Sequence, residues 1–408
     1  MKKVIIVHLG EVFGVNEDVL DDQTPLEAAN TPHLDYIQSY SYSGTMKKPN
    51  INDSFFISSL LTLIFGTEFS QHSSVFLADG MNCELKENDI VFKNNFVSLK
   101  PTAKSLSVMD PVGSLLSSEE KKELTEFLNS NLFRNDDESF FFNTDSNGES
   151  VFVYRKENLE RTSVSFGEFN SPYEYIGREI DMISKMDEQS KRFMYIMNES
   201  QMLLSKHPFA VEKYKDNFFF PNSVWFYEGA FVEKLNPNRP VLPFDKASIV
   251  SSNLILKGLS KFLGMEYILW EDFDSKNIQG NEFIFIDKEE GNNQIDPIEK
   301  VNRLESLDNQ IEKLAEQLSG ISAKVLFLFN YPYSMNDREK SGCSFLFTEF
   351  EKNKYVLPRK KITPFDLLCL ISNAISPPKL KSSGFIEEEF NKRKSINPKM
   401  LGSKILKN

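Results

Sequence analysis

Residues 4–10 read Val-Ile-Ile-Val-His-Leu-Gly. The run up to Leu9 is β-branched and almost continuously apolar, and it stops at Gly10. A strand with one wet face alternates apolar and polar residues. A strand without that alternation is covered on both faces, as in a parallel sheet flanked by helices. Residues 223–227, 247–250, 282–286, 324–329 and 344–347 are further short apolar runs of this kind. Helical segments stand between them. Thr24-Pro-Leu-Glu27 is a helix start, with a hydroxyl at the N-cap, Pro at N1 and an acid in the first turn, and Thr31-Pro32 repeats the cue. Ile298, Val301, Leu304, Leu307, Ile311, Leu314 and Leu318 recur at three- and four-residue spacings and mark one helix stripe over 297–318. A long charged helix is expected over 178–206, and an apolar helix over 55–65. Strands alternating with helices predict a mainly parallel, twisted sheet covered on both faces.

The texture changes near residue 90. Residues 90–92 and 96–99 read as two short strands, and Ser117-Ser-Glu-Glu120 opens a capped amphipathic helix. Residues 139–143 and 150–154 flank Asp145-Ser-Asn-Gly148, the signal of a β-hairpin. This reads as a small α+β insert. The expected organisation is a core in two parts, 1–95 and 177–376, an insert at 96–176, and a tail at 377–408. The tail carries eight basic residues against three acids, within a chain of net charge −12.

The balance of 47 basic and 59 acidic residues argues against a general nucleic-acid binder, except through the basic tail. Three widely spaced cysteines form no disulfide framework, and four histidines leave few ligands for an imidazole-rich metal centre. His33 reads as a helix-capping or surface residue and His207 as a helix-end residue. No stretch approaches the ~18 apolar residues of a membrane helix, and the six-residue apolar run at the start is short for a signal peptide. The expectation is a cytoplasmic protein. The 36 Phe mostly fill core, but Phe140-Phe-Phe142 and Phe218-Phe-Phe220 exceed what one strand face buries. Phe218, Phe219 and Phe220, with Lys392, Arg393 and Lys394 of the tail, are the expected contacts for a protein partner. A homo-oligomer fits the same expectation.

Residues 24–35, Thr-Pro-Leu-Glu-Ala-Ala-Asn-Thr-Pro-His-Leu-Asp, resemble the "TPLEAANTPNMD" segment of archaeal-type cofactor-independent phosphoglycerate mutases at ten of twelve positions. Residues 83–99 resemble that family's "IELKEDDVAFRCNLVTL", residues 221–230 (Pro-Asn-Ser-Val-Trp-Phe-Tyr-Glu-Gly-Ala) its "PANAIWLRGAG", and residues 258–265 its "GIAKLAGM". The resemblance runs from about residue 3 to 376. It implies an alkaline-phosphatase-like three-layer α/β/α core with a mainly parallel sheet, interrupted by a ferredoxin-like α+β domain. It also implies two divalent cations, Mn or Zn, that activate a Ser nucleophile and stabilise the transferring phosphoryl group.

The positions that the resemblance assigns to this chemistry read differently here. Leu9 stands where the first metal-binding Asp belongs. Ser54 looks like the nucleophile's turn but lies three residues early. Glu289 keeps a carboxylate in the metal loop, Asn293 replaces its His, and Asp296 lies at the loop's end, where the family often only caps the next helix. Asn330 or Tyr331 replaces an Asp-His pair, and Lys340 a further metal-binding His. Among substrate contacts, Ser73 and Glu149 stand for Arg, Leu115 for His, and Lys93 for Arg with its charge kept. The expectation is therefore a phosphoglycerate-mutase-like pseudoenzyme, a structural or regulatory protein-binding platform with no cofactor. The alternative is a diverged metal-dependent phosphoglycerate mutase or phosphohydrolase using Ser54 and Lys93.

Overall fold

The computed structural model describes residues 3–11, 17–47, 73–102, 105–161, 164–166, 169–180, 187–209, 212, 220–233, 244–288, 296–330, 342–351 and 354–356. Thirteen strands are found among them: β1 (Lys3–Glu11), β2 (Tyr42–Lys47), β3 (Ile90–Pro101), β4 (Leu106–Asp110), β5 (Glu138–Thr144), β6 (Ser150–Lys156), β7 (Ser223–Phe231), β8 (Ala247–Val250), β9 (Glu266–Ile268), β10 (Phe283–Asp287), β11 (Ala323–Asn330), β12 (Gly342–Glu351) and β13 (Lys354–Val356). They form two sheets in two compact units. The first unit is Met1–Glu68, Pro240–Asn253 and Leu263–Asn408; the second is Phe69–Arg239 and Leu254–Phe262.

In the first unit the strand order is β13-β12-β11-β1-β10-β8-β9, with β2 also pairing β12. β11, β1, β10, β8 and β9 run parallel; β12 pairs antiparallel with β11, β13 and β2. The unalternating run at 4–9 thus becomes a strand between two parallel neighbours. Its odd-numbered residues Ile5, Val7 and Leu9 join one buried cluster with Leu26, Leu34 and Ile37 of the short helices Pro25–Ala28 and Pro32–Ser39, and with Leu304, Ile311 and Leu314 of the helix Pro297–Gln317. Burial of such side chains contributes about 1.5–3 kcal/mol each.

Two caps show how local chemistry and packing divide the work. Thr24 is the expected N-cap, and with Glu27 it forms a reciprocal capping box. Thr31, by contrast, makes no side-chain cap. The N–H groups of His33 and Leu34 donate instead to the buried Asp308 carboxylate at 3.1 and 2.8 Å, and His33 Nδ1 lies 2.8 Å from it. The cap therefore comes from the helix Pro297–Gln317, nearly three hundred residues away in sequence. Asp296 caps that helix through the N–H groups of Ile298 and Glu299.

The second unit is built on an antiparallel sheet ordered β4-β3-β6-β5, with β7 also pairing β3. The hairpin β5–β6 and the boxed cap Ser117–Glu120 lie where the sequence places them. Other expectations are corrected. Residues 90–92 and 96–99 belong to one continuous strand, because β3 pairs with both β6 and β7. The helix expected over 178–206 spans Glu188–Leu204 and starts at the Asp187 cap; before it, Ile180 N–H donates to the Leu106 carbonyl. The expected insert at 96–176 lies inside the second unit, which also takes in β7 and the helix Glu188–Leu204, since both pack against β3 and its neighbours. Phe220 is also corrected: it is 2% exposed in the core of this unit, beside Phe209, and not an outward contact. Phe140 and Phe142 are buried there too. The expected helix 55–65, Phe218, Phe219 and the tail with Lys392, Arg393 and Lys394 lie outside the described residues.

The helices Ser73–Gly80 and Leu254–Leu263 approach through two glycines. A Cβ on Gly258 would lie 1.9 Å from the Phe76 carbonyl oxygen, and one on Gly80 would lie 1.9 Å from that of Leu254. Backbone cannot yield as a side-chain tip can. Gly258→Ala is expected to lower the stability of the second unit by about 1–3 kcal/mol, read from hydrogen exchange of the amides of these helices in increasing urea; unchanged exchange would show that the helices separate freely.

Candidate functional site

Ligand sites in open α/β sheets lie beyond the carboxyl ends of parallel strands. At those ends of β1, β10 and β8 the first unit gathers three buried polar residues, His8, Asp287 and Ser251. His8 and Asp287 are register partners, and both lie on the sheet face opposite Leu9. His8 Nδ1 is 2.7 Å from Asp287 Oδ1. The Ser251 hydroxyl donates to Asp287 Oδ2 at 3.1 Å and accepts from the Asn253 N–H at 3.0 Å. The Asp287 carboxylate is therefore the shared acceptor of a His–Asp–Ser chain across three strands. Tyr267 stands near it: burial, then the Asp287 charge, push its hydroxyl up to about 12. Next to Asp287, Lys288 places its ammonium 3.8 Å from the Trp270 ring centroid.

These groups do not make a metal centre. Among the described residues, no three His, Cys, Asp or Glu side chains are grouped to hold a cation. His8 and Asp287 are two, and they bind each other. Leu9, at the first expected ligand position, is buried in the apolar cluster. Asn330 ends β11, with its side chain outside the description. Ser54, Glu289, Asn293, Tyr331 and Lys340 lie outside the described residues. The described donor set does not fit a divalent cation, and no chemical step is routed through one.

The second unit holds the other constellation. Lys93 Nζ is 2.7 Å from Glu228 Oε2, and the Ser73 hydroxyl donates to the same oxygen. Lys93 also faces the Tyr227 ring at 5.9 Å, and the Tyr227 hydroxyl donates to Asn95 Oδ1 at 3.3 Å. Glu149 completes the group: desolvation pushes its carboxyl up, Asp145 adds to that, and Lys93 opposes. Glu149 is nevertheless exposed to solvent, which screens these effects. Burial, then Glu228, Tyr173 and Glu149, push the Tyr227 hydroxyl up as well. Ser73 and Lys93, two of the four positions singled out as substrate contacts, thus share one oxygen of Glu228, and Glu149 interacts with Lys93 electrostatically. The fourth, Leu115, is 41% exposed and makes no described contact with them.

A β-bulge aims Glu228 into this group. The β3–β7 register runs Val91↔Ala230, then Lys93↔Tyr227. Glu228 and Gly229 together oppose Phe92 alone, the two-against-one count of a bulge. Glu228 carries the strain, with φ 50° in a non-glycine residue. Gly229 is held close, since a Cβ there would lie 2.3 Å from the Phe92 ring. Sequence reading missed Glu228, Tyr227, Ser251 and Asp287. The signals were present: Glu228 falls under the Arg of "PANAIWLRGAG", and Asp287 is the acid ending an otherwise apolar strand.

The two sheets and their polar clusters define an α/β protein with a mainly parallel sheet in one unit and an antiparallel sheet in the other. A solved structure of a protein from Pyrococcus horikoshii has a similar fold, with a TM-score of 0.55, 16% identity, and coverage of 85% of this chain and 87% of that one. Residues 67–210 match the family described as 2,3-bisphosphoglycerate-independent phosphoglycerate mutase. The mutase of that name from Methanosarcina barkeri is 26% identical over 259 residues, 62% of this chain and 61% of its own length. Mutase 2 from Methanocaldococcus jannaschii is 23% identical over 343 residues, 76% of each chain. Over these stretches the chain is similar to 2,3-bisphosphoglycerate-independent phosphoglycerate mutases. It spans about three-fifths of the length of the first curated relatives it matches.

The expectation of a non-catalytic platform is overturned by these matches. The relatives are named as mutases, and none is named as an inactive protein. The physical reason for the error lies in counting along the sequence alone. Most of the apparent ligand losses were counted at positions in 48–72, 289–295 and 331–341, outside the described residues, and spacing along one sequence does not by itself fix which side chain meets a ligand.

Proposed function

We propose that this chain catalyses phosphoryl transfer on phosphoglycerate, interconverting the 2- and 3-phospho isomers. The reading places that chemistry on a three-layer α/β/α core with a ferredoxin-like insert. One observation carries it: positions 73 and 93, assigned to substrate contact by the resemblance, come from separate segments and meet on one oxygen of Glu228. Lys93 is the cation in this reading, holding an anionic group of the substrate as a point charge where an Arg would grip it with two hydrogen bonds.

The test is phosphorus NMR of 3-phosphoglycerate incubated with the full chain and added Mn²⁺ or Zn²⁺. Appearance of the 2-phospho isomer is expected. Unchanged substrate under both cations would sink the proposal. Lys93→Met is expected to raise KM for 3-phosphoglycerate about tenfold or more with a smaller effect on kcat, the mark of lost uniform binding. Equal KM in the two proteins would remove Lys93 from the site.

A further inference from the structure

The Lys93 ammonium already has an anion. Glu228 Oε2 sits 2.7 Å from it and also accepts from Ser73. Neither side chain is far from solvent closure: Lys93 is 13% and Glu228 24% exposed. A bulge and a left-handed backbone at φ 50° aim this carboxylate at Lys93. Bulges beside functional sites commonly re-aim a side chain in this way. Glu149, an exposed carboxylate, also interacts electrostatically with this ammonium. A further carboxylate or phosphate brought to Lys93 therefore meets the like charge of Glu228 already seated there.

We propose that Glu228 is a specificity-determining residue that occupies the anion subsite formed by Lys93 and Ser73, so that an anionic substrate group competes with an internal carboxylate. This rests on the reading of the Lys93 cluster as the substrate's anion site. Glu228 supplies in the free protein the same contacts that a substrate carboxylate or phosphate takes when bound. Entry of that group breaks the Lys93–Glu228 ion pair and the Ser73–Glu228 hydrogen bond, and forms the equivalent pair with the ligand. Glu228 thereby weakens binding of the anionic group that enters this subsite.

The experiment is calorimetric titration of 3-phosphoglycerate into the full chain. Four proteins are compared: wild type, Glu228→Gln, Glu228→Gly, and Glu228→Gln combined with Lys93→Met. Glycine suits the positive φ, so its variant guards against misfolding of the glutamine one. Both single variants are expected to bind about tenfold tighter than wild type, and the double variant is expected to lose the gain. Equal or weaker binding in both folded single variants would overturn the proposal, as would a gain that survives loss of Lys93. Affinity is read without turnover, so the two readings separate. A wild type that converts 3-phosphoglycerate while Glu228→Gln binds no tighter fails this inference alone. A wild type without turnover whose Glu228→Gln variant binds tighter fails the mutase reading alone.

Discussion

Asp287→Ala is expected to lower the stability of the first unit by about 3–5 kcal/mol. The carboxylate is the common acceptor for His8 Nδ1 and the Ser251 hydroxyl, and all three residues are buried. Truncation removes both hydrogen bonds at once and leaves polar atoms facing a cavity at the junction of three strands. Asp287→Asn keeps the shape and one acceptor oxygen, and is expected to lose less than half as much. Because the chain has two compact units, a single unfolding midpoint would mix them. Hydrogen exchange of the β1 and β10 amides in increasing urea reads the first unit by itself. A loss below about 1 kcal/mol would mean that water reaches the strand ends and replaces the missing acceptor.

The His8–Asp287–Ser251 chain also shows what kind of feature the sequence exposes. The strand at 4–9 was legible because burial on both faces erases alternation, a signal that depends on every residue in the run. The β5–β6 hairpin and the boxes Thr24–Glu27 and Ser117–Glu120 were legible because turns and caps are local, satisfied within four residues. The cap on the helix Pro32–Ser39 was not, since its acceptor, Asp308, lies on another helix. The extent of the second unit was hidden for the same reason: it depends on β7 pairing with β3. At the candidate site, Ser73, Lys93 and Glu149 could be picked out one by one through resemblance. The meeting of Ser73 and Lys93 on Glu228 follows from a bulge that only strand pairing reveals.

Arg192→Met is expected to lower the stability of the second unit by about 3–5 kcal/mol at neutral pH. Glu138 begins β5, and its carboxylate is fully enclosed. Arg192, on the helix Glu188–Leu204, donates from Nε to both of its oxygens at 3.1 and 3.2 Å and pairs with it through a second guanidinium nitrogen. The Tyr154 hydroxyl donates at 2.8 Å and the Asn135 N–H at 3.0 Å. Burial pushes the Glu138 carboxyl up, but Arg192 and these donors outweigh it, and the group titrates below its ordinary value. A depressed carboxyl contributes stability that is present above the unfolded carboxylate pKa of about 4.3 and is lost as pH falls through the folded value. Wild type should therefore shed stability in this unit as pH drops below about 4. Methionine fills much of the arginine stem's volume but removes the charge that opposes burial. The variant should be weaker at pH 7 and lose less on acidification, so the two stability curves converge at low pH. Hydrogen exchange at β5 and β6 amides as a function of pH measures this directly. Parallel curves, separated by the same amount at pH 7 and pH 3, would show that Arg192 acts through packing on Phe140 and Tyr195 and not through the carboxylate.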